Sequence, residues 1–299
     1  MTSTTPHENR DPVPLGFLAG NWIPHGQMTI RVDDTGFRQG VTAVERLRTY
    51  HQAIFAADAH LSRWQHSTAE LEISGLPTTS AIKELLQELL VRNQTLLDAE
   101  GELGITVFAT PGAHDDEQTA TFGMHVNRLN AQRNHQRQQS GQPLIVTQVQ
   151  QPAPESWPRT IKIRSRVHYH LADRAAQRED PAASGVLIDQ DGSVTETSIA
   201  NLAIVTDGKI ISPPTDRVLG GITQAVVETL AKELQIPWSK SPLSVRNLMD
   251  ADEVLLMGTD GGLWYANTVN GTTIGKGQTK SLYPQLQDRF AAHVRAAAN

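Results

Sequence analysis

Four short segments carry groups that could act together in one site: an amine, a carboxylate, a helix N-terminus and a hydroxyl. Lys162 ends the segment 160–162, and a lysine amine can bond covalently to a carbonyl and later act as a base. Glu196 lies in a polar run, where a carboxylate can hold a protonated ring nitrogen. The segment 220–223 (GGIT) opens an amphipathic run, and a helix N-terminus binds phosphate. The pair 258–259 (GT) adds a further hydroxyl.

Each of these residues also has an ordinary structural explanation. A lysine between two isoleucines is typical of an exposed edge strand. Glu196 could be solvated on the strand that follows the Asp-Gly turn at 191–192. Arg63, alone on an exposed helix face, would be solvated as well. The chemical interpretation therefore depends on the segments occurring together in this order.

That order resembles the fold-type IV pyridoxal phosphate enzymes, which include branched-chain and D-amino-acid aminotransferases and aminodeoxychorismate lyase. The resemblance runs from about Asn21 to the C-terminus. It implies an α+β fold of two domains, a smaller α+β N-terminal domain and a larger β-rich C-terminal domain with helices. It also implies that pyridoxal 5′-phosphate is bound between the domains.

The resemblance implies a role for each candidate residue. Lys162 would carry the cofactor and move the proton during catalysis, and Glu196 would keep the ring nitrogen protonated so that the ring accepts electrons. Arg63 lies in a segment similar to the family's His-Leu-x-Arg-Leu, and a guanidinium fork suits phosphate oxygens. The phosphate contacts implied by the resemblance are Arg63, Ile222, Thr223 and Thr259.

Departures from the family pattern concern the substrate. Val167 stands where branched-chain aminotransferases carry a tyrosine, and Thr197 replaces a usual glycine. The segment 110–114 keeps the glycine and His114 of a carboxylate-binding pattern of D-amino-acid aminotransferases, but not its arginine. Arg166 matches an arginine of the lyases and could bind an anion. The substrate-binding candidates are Arg166, Asp260 and His114.

Composition excludes several classes of protein. The 299 residues are 38% apolar and 19% charged, which is ordinary for a globular chain. A net charge of -6 gives no overall attraction to nucleic acid or membrane, and no run approaches the roughly 20 apolar residues of a spanning helix. The absence of cysteine excludes disulfides and fits a cytoplasmic location. No metal site is expected, since His168 and His170 fall on different faces of a helix.

Hydrophobic periodicity predicts the elements and their grouping. We expect a flexible N-terminus over 1–14, a small α+β domain over 15–150 and a large cofactor-binding domain over 151–299, divided in the Gln-, Asn-, Arg- and Pro-rich stretch 127–159. The predicted helices are 57–73, 80–97 with Ser80 as N-cap, 166–177, 223–234 and 279–297. The predicted strands are 27–32, 44–48, 104–110, 119–126, 144–149, 185–189, 201–205, 209–211, 253–257 and 263–266.

The leading hypothesis is an aminotransferase that moves an amino group between an amino acid or amine and an α-keto acid. Two alternatives stay open. One is a lyase similar to aminodeoxychorismate lyase, which uses the same cofactor for β-elimination, and the other is a non-catalytic cofactor-binding or interaction protein. A homodimer is implied by the resemblance, because this family usually completes its pocket across a two-fold interface.

Overall fold

The computed structural model describes residues 13–113, 120–275 and 281–298. Within these ranges, six strands form an antiparallel sheet in the order β2-β1-β6-β5-β3-β4. Its strands are β1 (Leu15–Leu18), β2 (Asn21–Pro24), β3 (Ala43–Tyr50), β4 (Ala53–Ile54), β5 (Leu103–Thr110) and β6 (Thr121–Arg128).

The remaining described strands form a mixed sheet in the order β12-β11-β10-β13-β14-β7-β8-β9, with β15 paired to β14. They are β7 (Gln142–Gln150), β8 (Ser184–Ile188), β9 (Val194–Thr197), β10 (Asn201–Thr206), β11 (Lys209–Ser212), β12 (Trp238–Lys240), β13 (Glu253–Gly258), β14 (Gly262–Val269) and β15 (Thr272–Thr273). β9 also pairs with β10, at Glu196 and Asn201, so strands of this sheet close into a ring. The closure brings two buried polar residues, Glu196 and Asn201, together at the point where the ring closes.

Helices cover both sheets. Trp64 and Leu89 bury their side chains in the core of the first sheet, and Val227 and Phe290 do so against the second. The helices are α1 (Thr35–Arg38), α2 (Ala57–Glu70), α3 (Thr79–Arg92), α4 (Gln94–Glu100), α5 (Ala131–Ser140), α6 (Val167–Glu179), α7 (Ile222–Glu233), α8 (Val245–Met249) and α9 (Tyr283–Ala296), with a 3-10 turn at His25–Gln27. None of the described helices is long and apolar enough to cross a membrane.

α6 lies unusually close to the second sheet. A Cβ added at Gly185 on β8 would stand 2.4 Å from the backbone carbonyl of Ala172, so only glycine permits this approach. The contact holds the start of α6, and with it the segment that contains Lys162, over the ring of strands. The fold thus places the candidate lysine beside Glu196 without a strand that joins them.

The structure differs from the expected elements in five respects. β7 hydrogen-bonds to β8 and β14, so the strand that precedes the expected domain boundary at 150 belongs to the second sheet. Residues 28–32 form no strand. The stretch expected to be exposed loops contains α5, and the helix expected over 80–97 is divided into α3 and α4. Thr78 caps α3 by accepting from the Ala81 amide at 3.3 Å, in the role expected of Ser80.

Candidate active site

Lys162 lies in an irregular segment that is held against the first sheet. Its carbonyl accepts a hydrogen bond of 3.0 Å from the Val44 amide, and its own amide donates to Ser67 Oγ at 3.0 Å. Ile163 forms an isolated antiparallel bridge with Ala43 on β3. The segment that contains Lys162 is therefore positioned by the N-terminal half of the chain.

The amine of Lys162 is in an environment that disfavours its charged form. Burial and the charge of Arg63 together lower the pKa of Lys162 from the ordinary 10.5 to about 7, although Glu45 opposes the change. A lysine with a pKa near neutrality has a large unprotonated fraction, and the unprotonated amine is the nucleophile.

Glu196 is buried, with 5% of its surface exposed, and hydrogen-bond donors surround its carboxylate. Tyr169 Oη donates to Oε1 at 2.6 Å and Gln151 Nε2 at 3.2 Å, while Asn201 Nδ2 donates to Oε2 at 3.0 Å. Burial raises the pKa of Glu196, and the hydrogen bonds from Tyr169 and the Leu219 amide oppose that rise. The donors fix the carboxylate in one orientation, facing the same cleft as Lys162.

The N-terminus of α7 also lines that cleft. Gly221 is its N-cap, and no described side chain caps it, which leaves the amides of Ile222 and Thr223 oriented for an anion. A Cβ added at Gly221 would stand 1.8 Å from Asn201 Oδ1. Glycine is therefore required for this turn to pack against the residue that holds Glu196.

Arg63 joins α2 to this turn. Its Nε and Nη2 donate to the Glu45 carboxylate at 3.0 and 2.6 Å, and its Nη1 donates to the Gly220 carbonyl at 2.7 Å. Glu45 is fully buried on β3 and also contacts His60 Nδ1 at 2.9 Å. Burial opposes ionisation, but the charge of Arg63 and hydrogen bonds from His60 and Arg63 lower the pKa of Glu45 to about 2. The ionised Glu45 holds Arg63 at the cleft.

Thr197, which stands in place of the family glycine, closes a tight turn. Its hydroxyl donates to the Ala200 carbonyl at 3.1 Å and accepts from the Ala200 amide at 3.0 Å. The turn lies against β13, because a Cβ added at Gly258 would stand 2.3 Å from the Ile199 carbonyl. The hydroxyl of Thr197 therefore stabilises the turn that follows Glu196.

One cleft brings most of the sequence-predicted residues together. Its described lining includes Arg63, Lys162, Arg166, Glu196, Ile222, Thr223 and Thr259. These residues come from both halves of the chain, so the cleft lies between the first sheet and the ring of the second.

The three substrate candidates have different outcomes. Arg166 lines the cleft, where its guanidinium donates to the Ser198 carbonyl and lies 4.3 Å from the centre of the Tyr169 ring. Asp260 lies beside the cleft, in the turn between β13 and β14. Its carboxylate forms an ion pair of 2.8 Å with Arg46, which stabilises this turn. His114 falls outside the described residues.

The structure adds residues that sequence reasoning missed. Tyr169 and Gln151 hold Glu196, and Glu45 holds Arg63. The sequence pattern weakly indicates that Glu45 is buried, because it lies between the apolar residues Ala43 and Leu47 on one face of β3. Nothing in the spacing of Tyr169 or Gln151 indicates their contact with Glu196, because it joins elements distant in sequence. In the described ranges, no group of His, Asp or Glu side chains could hold a metal ion.

Comparisons with known proteins agree with this geometry. The family model "Amino-transferase class IV" matches residues 42–267. D-alanine aminotransferase of Bacillus licheniformis is 26% identical over 92% of this chain and 96% of its own length. Branched-chain-amino-acid aminotransferase of Salmonella typhimurium is 26% identical over 91% of this chain and 90% of its own.

A solved structure shows the same fold. The T.th. branched-chain amino acid aminotransferase, complexed with N-(5′-phosphopyridoxyl)-L-glutamate, superposes with a TM-score of 0.84 at 23% identity and covers 96% of both chains. The family match spans well over half of the chain. The chain therefore belongs to the class IV aminotransferases, the pyridoxal phosphate-dependent enzymes with the fold-type IV architecture.

Proposed function

We propose that this aminotransferase moves an amino group between an amino acid or amine and an α-keto acid, with Lys162 and Glu196 as its catalytic residues. One observation carries the proposal. A lysine with a pKa of about 7, a buried and fully oriented carboxylate and an uncapped helix N-terminus line a single cleft. These three groups match the aldehyde, the ring nitrogen and the phosphate of pyridoxal 5′-phosphate.

The phosphate end has a suitable set of donors. The amides of Ile222 and Thr223 offer the positive end of the α7 dipole, and Thr259 adds a hydroxyl on the same cleft. Arg63 adds a cation whose direction is fixed by Glu45. We assign these four residues to the phosphate. Several convergent hydrogen-bond donors are needed to replace the water molecules that hydrate a phosphate dianion.

The ring end is held by Glu196. Its carboxylate is surrounded by donors on both oxygens and faces a cleft that also contains the lysine. A buried carboxylate with a proton-bearing nitrogen as its partner favours the charged form of that nitrogen. Glu196 would therefore keep the ring nitrogen protonated.

When bound, pyridoxal phosphate supplies an aldehyde that carries the amino group and a ring that accepts electrons from the substrate α-carbon. Lys162 would hold that aldehyde between turnovers. Its amine, released when substrate binds, would move a proton between the α-carbon and the adjacent cofactor carbon. An amine that titrates near neutrality suits both directions of this transfer, since it gains and loses a proton at little cost.

A two-step spectroscopic experiment tests the reaction. An amino donor alone should convert the cofactor to pyridoxamine phosphate and remove its visible absorbance, and an α-keto acid should restore it. A protein that releases pyruvate from aminodeoxychorismate without an acceptor, and accumulates no pyridoxamine phosphate, would instead be a lyase. Lack of any cofactor absorbance would refute the catalytic proposal as a whole.

A homodimer and a cytoplasmic location complete the proposal. Val167 and Leu171 lie one turn apart on α6 and are 70% and 51% exposed, which suits a surface covered by a second copy. The cysteine-free composition fits a reducing compartment. Light scattering of the wild type and of Leu171→Glu should give the mass of two chains for the first and a lower average mass for the second.

A further inference from the structure

Arg164 lies on the same side of its segment as Lys162. Ile163 is bridged to Ala43, and the Arg164 amide donates to the Thr42 carbonyl at 3.0 Å, so the backbone from 162 to 164 is extended. In extended backbone the side chains at alternate positions point to the same face, with Cα atoms about 7 Å apart. The side chain of Arg164 therefore leaves the backbone on the same face as that of Lys162, and its charge helps to lower the pKa of Lys162.

The neighbouring arginines are already engaged by protein groups. Each has a carboxylate or a carbonyl within hydrogen-bonding distance, which consumes part of its donor capacity. The partners are Asp260 for Arg46 and the Ser198 carbonyl for Arg166, and Arg63, held by Glu45, is assigned to the phosphate. An incoming anion would have to compete with these partners.

Arg164 differs from them. Arg164 is an exposed residue at the edge of the site, its side chain makes no ion pair and no hydrogen bond with protein groups within the described ranges, and its surroundings are cationic. Partial burial lowers the pKa of Arg164, and the charges of Arg166 and Arg46 lower it further. The same guanidinium helps to lower the pKa of His125, on the facing strand β6. A cation with free donors among other cations is electrostatically complementary to an anion that the protein itself does not provide.

We propose that Arg164 binds a carboxylate of the substrate and thereby selects carboxylate-bearing donors and acceptors over simple amines. The inference rests on the proposed function, because it places the reacting carbon beside Lys162. The α-carboxylate of an amino acid is bonded directly to that carbon and would lie within reach of an arginine two residues away. A guanidinium offers two parallel donors to a carboxylate, which fixes the substrate's orientation as well as its affinity.

Cofactor-loaded variants test this assignment. Arg164→Gln should raise the KM for an amino acid and for an α-keto acid by about tenfold to a hundredfold, the loss expected for one charge-assisted pair. Arg164→Lys should recover part of it, since the charge remains but the fork is lost. Arg174→Gln, an exposed arginine on α6, is the matched control and should behave as wild type. Calorimetry with valerate, a carboxylate without an amino group, should show the same weakening of Kd.

Two outcomes locate the carboxylate, and one overturns the proposal. Equal increases in KM for alanine and glutamate assign Arg164 to the α-carboxylate, whereas an increase for glutamate alone assigns it to the side-chain carboxylate. A KM and a valerate Kd within twofold of wild type in Arg164→Gln overturn the proposal. The cofactor absorbance of the wild type is measured before any variant is compared. If the wild type has none, the proposed function fails, and that result is distinct from a failure of the Arg164 assignment.

Discussion

The hydroxyl of Tyr169 donates a hydrogen bond of 2.6 Å to Oε1 of Glu196. The tyrosine that branched-chain aminotransferases carry two positions earlier is replaced by Val167. Tyr169, on the first turns of α6, therefore contacts the carboxylate that we assign to the ring nitrogen. Because Glu196 is buried, a donor at this distance influences how much negative charge it presents to the cofactor.

Tyr169→Phe should lower kcat by about tenfold, the lower limit for losing one hydrogen bond to a charged group. Burial raises the pKa of Glu196 and Tyr169 opposes the rise, so the variant should move that pKa further upward. A pH titration of the cofactor absorbance measures the shift. Tyr265→Phe, which loses a bond of 3.0 Å to the Gln139 carbonyl, is the control. An unchanged titration would show that Tyr169 only packs against the site.

Glu196→Gln should lower the rate of the chemical step by about 10²–10³-fold, as expected when one preorganised electrostatic partner is removed. Cofactor affinity should change much less, since the phosphate donors remain. Single-turnover kinetics with an amino donor separate the two effects. Glu179→Gln, on the exposed end of α6, should match wild type. Equal single-turnover rates in Glu196→Gln and wild type would exclude the residue from the chemistry.

Lys162→Ala should abolish turnover and covalent attachment but still bind cofactor through the phosphate site. Borohydride reduction followed by peptide mapping should place the cofactor on Lys162 in the wild type and on no lysine in the variant. Lys209→Ala, exposed on β11, should remain labelled at Lys162. Mapping of the cofactor to another lysine would contradict the central assignment.

The pKa of Lys162 predicts a pH dependence of cofactor loading. Burial and the charge of Arg63 lower it to about 7, so the nucleophilic amine should appear as the pH rises through 7 and not through the ordinary 10.5. The rate of covalent loading into cofactor-free protein should therefore increase from pH 6 to about 8 and then level off. Stopped-flow absorbance across this range measures it. A rate that keeps rising above pH 9 would show an ordinary exposed lysine.

Glu45 should make the fold sensitive to acid. Its pKa is lowered from 4.5 to about 2, so its stabilising contribution is complete above pH 4.5 and is lost as the pH falls towards 2. A shift of this size corresponds to about 3 kcal/mol of unfolding free energy. Glu45→Gln should be less stable at pH 7 and should lack that part of the acid-induced loss. Urea unfolding at several pH values tests this, with Glu88→Gln, a half-exposed glutamate that pairs with Arg92, as control.

Local patterns predicted the elements whose apolar spacing is regular. α7 begins one residue before its predicted start and β13 covers its predicted span, because each buries one continuous apolar face. α5 was missed because it has no buried residue among its described side chains; Asn134 and Gln138 instead anchor it to the carbonyls of Asp260 and Gly261. Periodicity carries no information about such side-chain anchors.

The opposite error occurred at residues 28–32. Their alternating pattern predicts a strand, but Ile30 and Val32 are 44% and 75% exposed and no neighbouring strand pairs with them in the described part of the chain. The same limit applies to the site. Segment order indicated which residues would share the cleft, but the contacts of Tyr169 with Glu196 and of Arg166 with Ser198 span loops whose paths depend on the whole fold.

The backbone of Lys162 is supported by β3 and α2, whereas the cleft that its side chain enters belongs mainly to the second sheet. This arrangement limits how the gene can be recombined. A chimera that joins the first 141 residues of one family member to the rest of another would place the lysine on a foreign strand and a foreign Ser67 position. Crossovers that keep residues 42–164 from a single parent would preserve the lysine with its support, so they should yield active hybrids more often.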